Sequence, residues 1–192
     1  MAISKTAAKK PADVWDGSVP PAATAVVKRI EGFYAKPYDD NGSLPGGTMT
    51  IGYGSIRDAQ ERPITWNTPP ITEAQAEVLL MRDMRGAASD VRQRVLVPLR
   101  VCEAAALVSW TYNLGGGNLG SSTMLKRLNA GARQEVPNQM RLWIVHEGRK
   151  LVGLLRRRWA ESAIFLGVDP TVACVRAWKE IDSIDDWPAF NP

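Results

Sequence analysis

Glu31-Gly32-Phe33-Tyr34-Ala35-Lys36-Pro37-Tyr38-Asp39-Asp40, followed by Thr50-Ile51-Gly52-Tyr53-Gly54, is the stretch on which the fold turns. It sets one carboxylic acid at the end of a predicted helix and a second, nine residues on, in a turn. A threonine then opens a strand punctuated by two glycines, which let a ligand or another backbone come close. Those are the parts that cleavage of a glycosidic bond requires. One carboxyl protonates the leaving oxygen, and a second carboxylate manages water or nucleophile on the other face of the sugar.

Working outward, Ala23, Val26, Val27 and Ile30 recur at helical spacing and predict an amphipathic helix from Ala22 to about Gly32. Glu31 falls in its last turn, near the negative end of the helix dipole, where the proton-carrying form of a carboxyl is favoured. From Lys36 to Ile56 the pattern reads as a small antiparallel sheet, with turn chemistry at Asp39-Asp40-Asn41-Gly42 and Pro45-Gly46-Gly47. Thr72 with Gln75 makes a capping box and starts a helix that runs toward Val95, with a weak point at Gly86. Val101 to Leu114 is apolar almost throughout and predicts the buried central helix, ended by Gly115-Gly116-Gly117. Ser121 or Ser122 caps the next helix, Thr123 to Ala130. Two more are expected over Val136 to His146 and Leu154 to Leu166. In the tail, Val172, Val175, Trp178 and Ile181 lie three apart and predict a short helix with one apolar edge.

Composition narrows the classes. A chain of 192 residues, 45% hydrophobic and 23% charged, has globular make-up and needs no disulfide or metal to fold. His146 is the only histidine, which removes metal sites of the usual Cys/His spacing and all but one His-based triad. His146 itself is read as structural. Cys102 and Cys174 are read as buried free thiols of a protein made in a reducing compartment. The net charge of +4 suits an anionic polymer such as an acidic bacterial envelope. Nucleic acid is not expected, since no reading helix or aromatic RNA-binding signature is present. Arg156-Arg157-Arg158 is read as a solvated face or as core-facing salt bridges. No segment approaches the ~18 apolar residues of a membrane span, and Lys9-Lys10-Pro11 interrupts any signal-peptide core, so neither membrane insertion nor a secretory leader is expected.

The order Glu31, Asp40, Thr50 and the Thr-Ile-Gly-x-Gly strand resemble the phage lysozymes of glycoside hydrolase family 24. The likeness extends through Ala106-Leu107-Val108-Ser109-Trp110-Thr111-Tyr112-Asn113-Leu114-Gly115, through Ser122 to Gly131, and through Gly153-Leu154-Leu155-Arg156-Arg157-Arg158-Trp159-Ala160-Glu161. It covers about Val26 to Leu166. It implies a mostly helical α+β fold, a small β-hairpin lobe joined to a larger helical lobe with the cleft between them. It further implies Glu31 as the general acid, Asp40 as the residue that holds or activates the second partner, and Thr50 as placing a water beside it. Tyr112 and Asn113 correspond to positions lining the sugar cleft. An aromatic ring and an amide suit stacking on, and hydrogen bonding to, N-acetyl sugars. No cofactor is implied.

Two features depart from the family pattern. Nine residues separate Asp40 from Thr50, more than is usual in the family, with Ser43 to Gly47 as the inserted tip; a longer loop costs little free energy to close. Many relatives also carry His where this chain has Ser55, so a contact made by that His must be absent or replaced.

The expectation is a monomeric peptidoglycan hydrolase that cuts between N-acetylmuramic acid and N-acetylglucosamine during host lysis by a phage. A lytic transglycosylase on the same bond, or a non-catalytic wall-binding or virion protein, are the alternatives. The enzyme is expected in the host cytoplasm until a holin releases it to the periplasm and cell wall. Residues 1–20 are expected to form an arm and 21–168 the catalytic domain. Residues 169–192 are expected to dock on the helical lobe, with Trp178 and Cys174 turned inward.

Overall fold

The computed structural model describes residues 13–40 and 47–190. The inserted tip expected at Ser43 to Gly47 lies outside them except for Gly47. Seven α-helices and two short hairpins follow in order among the described residues: α1 Pro21–Glu31, β1 Tyr34–Asp39, β2 Met49–Gly52, α2 Glu73–Arg94, α3 Val101–Ser121, α4 Thr123–Asn129, α5 Val136–Arg141, β3 Val145–His146, β4 Arg149–Lys150, α6 Val152–Phe165 and α7 Pro170–Glu180.

Helix α3 is the centre of the helical lobe. Ala104 to Thr111 are all buried, and α1, α2 and α6 pack around them. An unbroken run of apolar and small residues forms such a helix because it can be covered on every side. Gly115, with φ 85° and ψ 155°, breaks it, and one more turn of helix follows over 116–121. The glycine run therefore kinks the element instead of ending it.

Helix α2 joins the lobes. Its start is fixed by the capping box: Gln75 N donates to Thr72 Oγ1 at 3.2 Å, and Thr72 N to Gln75 Oε1 at 2.8 Å. It runs unbroken through Gly86. A helical glycine costs about 1 kcal/mol, and the buried face of Met84, Ala87, Ala88 and Val91 outweighs that.

In the β-lobe, β1 and β2 pair antiparallel with Tyr38 opposite Thr50 and Asp39 opposite Met49. Ile51, Ile64 and Leu79 give this lobe a small core of its own. Ile71 N donates to Ala35 O at 2.8 Å and ties the hairpin to the approach to α2.

Three expectations are corrected. The helix expected over Val136 to His146 stops at Arg141, and Val145–His146 pairs with Arg149–Lys150 across a turn at Glu147 and Gly148, both with positive φ. Two such residues make a tight hairpin turn, so His146 is on an exposed strand and not on a helix beside Trp143. The arm expected over residues 1–20 is, in its described part 13–20, packed on the helical lobe. Trp15 lies in the core, its N donates to Leu99 O at 2.9 Å, and Val101 N donates to Asp13 O at 3.0 Å.

The third correction concerns α7, which packs on α6 and α1 through Ala173, Cys174 and Ala177, with Ile181 buried just beyond its end. Cys174 points inward as expected, but Val172, Val175 and Trp178 are 46, 45 and 42% exposed. Small side chains let two helix backbones approach closely, and that contact wins over the wider apolar edge. The chain then folds back: Phe190 stacks on Trp159 with centroids 5.3 Å apart, and Trp159 Nε1 donates to Pro188 O at 2.8 Å.

Candidate active site

Glu31 ends α1. Gly32, with φ 69°, caps the helix by donating its N–H to Lys28 O at 3.2 Å and turns the chain into β1. The Glu31 side chain is 23% exposed and ion-paired with Arg157, whose side chain is almost wholly buried on α6. Arg157 Nε also faces Glu161 Oε1 at 3.2 Å. Glu161 is completely buried, accepts from Ser109 Oγ at 2.8 Å, and meets Arg158 Nε at 3.2 Å. Arg158 Nη2 in turn donates to Asn113 Oδ1 at 2.8 Å.

Glu31, Arg157, Glu161, Arg158 and Asn113 thus form one chain of charged contacts under the cleft. Removing such charges from water costs several kcal/mol each, so they persist only in mutual contact. Burial acts to lower both arginines. At Arg157 the adjacent Glu31 and Glu161 carboxylates overcome it and raise the group, whereas Arg158, with Glu161 as its nearest anion, stays lowered. Of the two readings of the arginine triplet, core-facing salt bridges hold for Arg157 and Arg158. Arg156 reaches Ile181 O at 2.8 Å.

In the hairpin that follows Glu31, the register places Thr50 opposite Tyr38, and the Thr50 hydroxyl reaches Tyr38 O at 3.5 Å. Asp40, two residues beyond Tyr38, shares its face of the hairpin by strand alternation, while Asp39 turns the other way. A Cβ at Gly47 would overlap the Asp39 carboxylate, so that group is packed against the loop. Asp40 closes the base of the longer loop: its N donates to Thr48 O at 3.3 Å and its Oδ1 accepts from Thr48 N at 2.7 Å. Burial raises the Tyr38 phenol above its ordinary range. The Thr50 side chain opposes that, and the charges of Glu31 and Asp40 add to it.

Tyr112 closes the other wall. Its hydroxyl donates to Tyr53 O at 2.8 Å and ties α3 to the β-lobe. Burial, with Glu31 next in effect, raises it strongly. Beside it a groove of about 480 Å³ is lined by Gly54, Ile56, Arg82, Asp83, Thr111 and Tyr112 among others, and by none of Glu31, Asp40, Thr50 or Asn113. Ser55 donates to Asp83 Oδ2 at 2.6 Å, and Arg82 Nε donates to Asp83 Oδ1 at 2.8 Å. A second, apolar groove of about 340 Å³ between 58–71 and α2 shares none of Glu31, Asp40, Thr50, Tyr112 or Asn113.

Sequence reading missed Glu161 as the hub beneath the cleft. Glu161 could have been found from its spacing of three and four to the two arginines, which puts all three on neighbouring helical positions.

Comparison with known proteins agrees with this fold. The family described as phage lysozyme matches residues 28–161. A SAR-endolysin of bacteriophage PS119 is 31% identical over 137 residues, 71% of this chain and 77% of that protein. Among solved structures, an endolysin from Escherichia coli O157:H7 phage FAHEc1 superposes with a TM-score of 0.69 at 33% identity, covering 78% of this chain and 94% of that one. The muramidase domain of SpmX from Asticcacaulis excentricus gives 0.66 at 29% identity, covering 78% and 97%.

Proposed function

This chain belongs to the phage lysozyme family and is a peptidoglycan-cleaving glycoside hydrolase, and on that premise we propose that it hydrolyses the β-1,4 bond between N-acetylmuramic acid and N-acetylglucosamine with Glu31, Asp40 and Thr50. Glu31 gives its proton to the glycosidic oxygen as the bond breaks. Asp40 takes charge of the incoming water on the other face of the sugar, and Thr50 positions that water. Tyr112 and Asn113 bind the sugar chain from α3.

The observation that carries the reading is the Glu31 carboxyl at the end of α1, ion-paired to a buried arginine and followed directly by the hairpin in which Thr50 lies opposite Tyr38 and Asp40 closes the loop. Arg157 supports it by holding the Glu31 carboxyl at the cleft edge. Digestion of purified peptidoglycan followed by mass analysis of the products tests it. Reducing muramic acid ends are expected. Anhydro ends would mean a transglycosylase, and no cut a binding protein.

The catalytic unit in this reading is 21–168, with 13–20 and 169–190 packed on it as extensions. The protein acts as a monomer and reaches the wall when a holin opens the inner membrane. Among the described residues no helix is long and apolar enough to cross a membrane. Expression with and without a holin checks the release step: lysis is expected only with it. Lysis by the chain alone would place it with relatives named SAR-endolysin in mode of release.

A further inference from the structure

We propose that the pocket between the segment 13–20 and helix α2 is a phosphate-binding site, in which Arg85, Ser89 and Arg92 hold one phosphate group. The pocket measures about 210 Å³ and is lined by Gly17, Ser18, Arg85, Ser89 and Arg92 among others. Positions 85, 89 and 92 follow one another at helical spacing, so they share one stripe of α2. Asp83, Gly86 and Asp90, which line the groove beside Tyr112, are turned from that stripe by roughly a third of a helical turn. The pocket is therefore apart from the cleft.

Unsatisfied charge marks it. Helix α2 carries four arginines. Arg82 is paired with Asp83 and Glu61, and Arg94 with Asp90. Arg85 and Arg92 have no hydrogen-bond or ion-pair partner among the described residues, and these are the two that line the pocket. No carboxylate is among the lining residues. Asp16 and Asp90, next to lining residues in sequence, are already engaged. Asp16 Oδ1 accepts from Ser18 N at 2.8 Å and from Ser18 Oγ at 2.6 Å, and Asp90 pairs with Arg94.

Two details shape the site. Gly17, at φ 96°, lays its backbone on Arg92, since a Cβ there would come within 2.8 Å of Arg92 Cδ. The stem of Arg92 is thereby held, with its guanidinium at the pocket. Ser89 Oγ accepts from Gln93 Nε2 at 2.9 Å, so the hydroxyl proton remains to be donated.

The ligand class follows from this donor set. Guanidinium groups only donate, so the guest is an acceptor and an anion. A carboxylate offers its oxygens in one plane and is satisfied by a single fork. A phosphate spreads more oxygens over a tetrahedron and accepts from several separate groups at once, which suits two forks and a hydroxyl. Its source is a lipid headgroup or a free phosphate. Both guanidinia are exposed, so the attraction is screened by salt. A phosphate held here anchors the enzyme without filling the cleft.

Titration of the full-length protein with inorganic phosphate, followed by amide NMR at two fixed ionic strengths, tests the site. The Gly17 and Ser89 signals of the parent should shift together and saturate, at higher phosphate concentration in the saltier buffer. Acetate at equal ionic strength should not saturate them. Arg92→Gln should weaken the phosphate response about five- to tenfold, the scale of one charge-assisted contact at a solvated site. Arg85→Gln combined with Arg92→Gln should abolish saturation, with melting temperature and cutting of purified walls as in the parent. Vesicle flotation then identifies the source. If the guest is a lipid headgroup, phosphatidylglycerol vesicles carry the parent and release the double variant. If it is a free phosphate, the two proteins float alike and differ only in the titration. The inference is overturned if the parent signals fail to saturate with phosphate, if acetate saturates them equally, or if the folded double variant binds phosphate as the parent does.

Discussion

At the residue scale the cleft couples a half-buried acid to a buried framework. Glu31→Gln retains shape and a polar contact for Arg157 but has no transferable proton. Its turnover on purified walls is expected to fall by about 10²-fold or more. Arg157 keeps Glu161 as a partner, so the fall in stability should stay near 1 kcal/mol by thermal melting. Cutting above a few per cent of the parent rate would remove Glu31 from the role of acid. Asp40→Asn should be severe and Asp39→Asn mild, because the strand turns them to opposite faces and Asp39 packs against the loop. Reversal of that ranking would show the catalytic carboxylate to be Asp39. Ser55→Ala strips a 2.6 Å donor from the carboxylate of Asp83. It should cost about 1–2 kcal/mol, read as a few degrees of melting temperature, with cutting of the wall preserved.

At the element scale α7 shows how packing selects a face. The sequence offers Val172, Val175 and Trp178 as an apolar edge, and the helix instead docks through Ala173, Cys174 and Ala177. Trp178→Ser should therefore leave the melting temperature within a degree or two, while Ala177→Leu, which forces a larger side chain between helices, should cost about 1–3 kcal/mol. Equal effects would mean that α7 sits the other way round.

The same docking has a pH signature. Burial pushes the Cys174 thiol from 9.0 up to about 11. The unfolded thiol loses its proton first as pH rises, so between those values the unfolded state binds fewer protons. The contribution of Cys174 is present in full below pH 9 and is lost on the way to 11, by at most about 2–3 kcal/mol. Denaturant melts at intervals of pH should show this alkaline slope, flatter in Cys174→Ala. A slope identical in both would place the thiol in water.

At the scale of the whole molecule, the helical lobe, the β-lobe and the segments 13–20 and 169–190 are interlocked. Truncation after Gly167 removes α7 and the segment that covers Trp159, including the Pro188 contact and the Phe190 stack. Exposure of one large aromatic and one helix face corresponds to several kcal/mol, so melting should fall by on the order of 10 °C. An unchanged melting temperature would show that the segment does not dock in solution.

What the sequence by itself determined is local. The capping box at Thr72, the apolar run of α3, the hairpin glycines and the Glu31, Asp40, Thr50 order are set by spacing and by the conformational preferences of single residues. Such signals are legible because they act within a few positions along the chain. Tertiary structure decided what depends on partners far apart in sequence. Glu161 holds two arginines against residues more than forty positions upstream, and Ser55 bonds a carboxylate on α2. Helix α7 turns its small residues inward because α1 and α6 leave room only for them. Burial sets the energy of each of these contacts, and burial exists only once the lobes have packed.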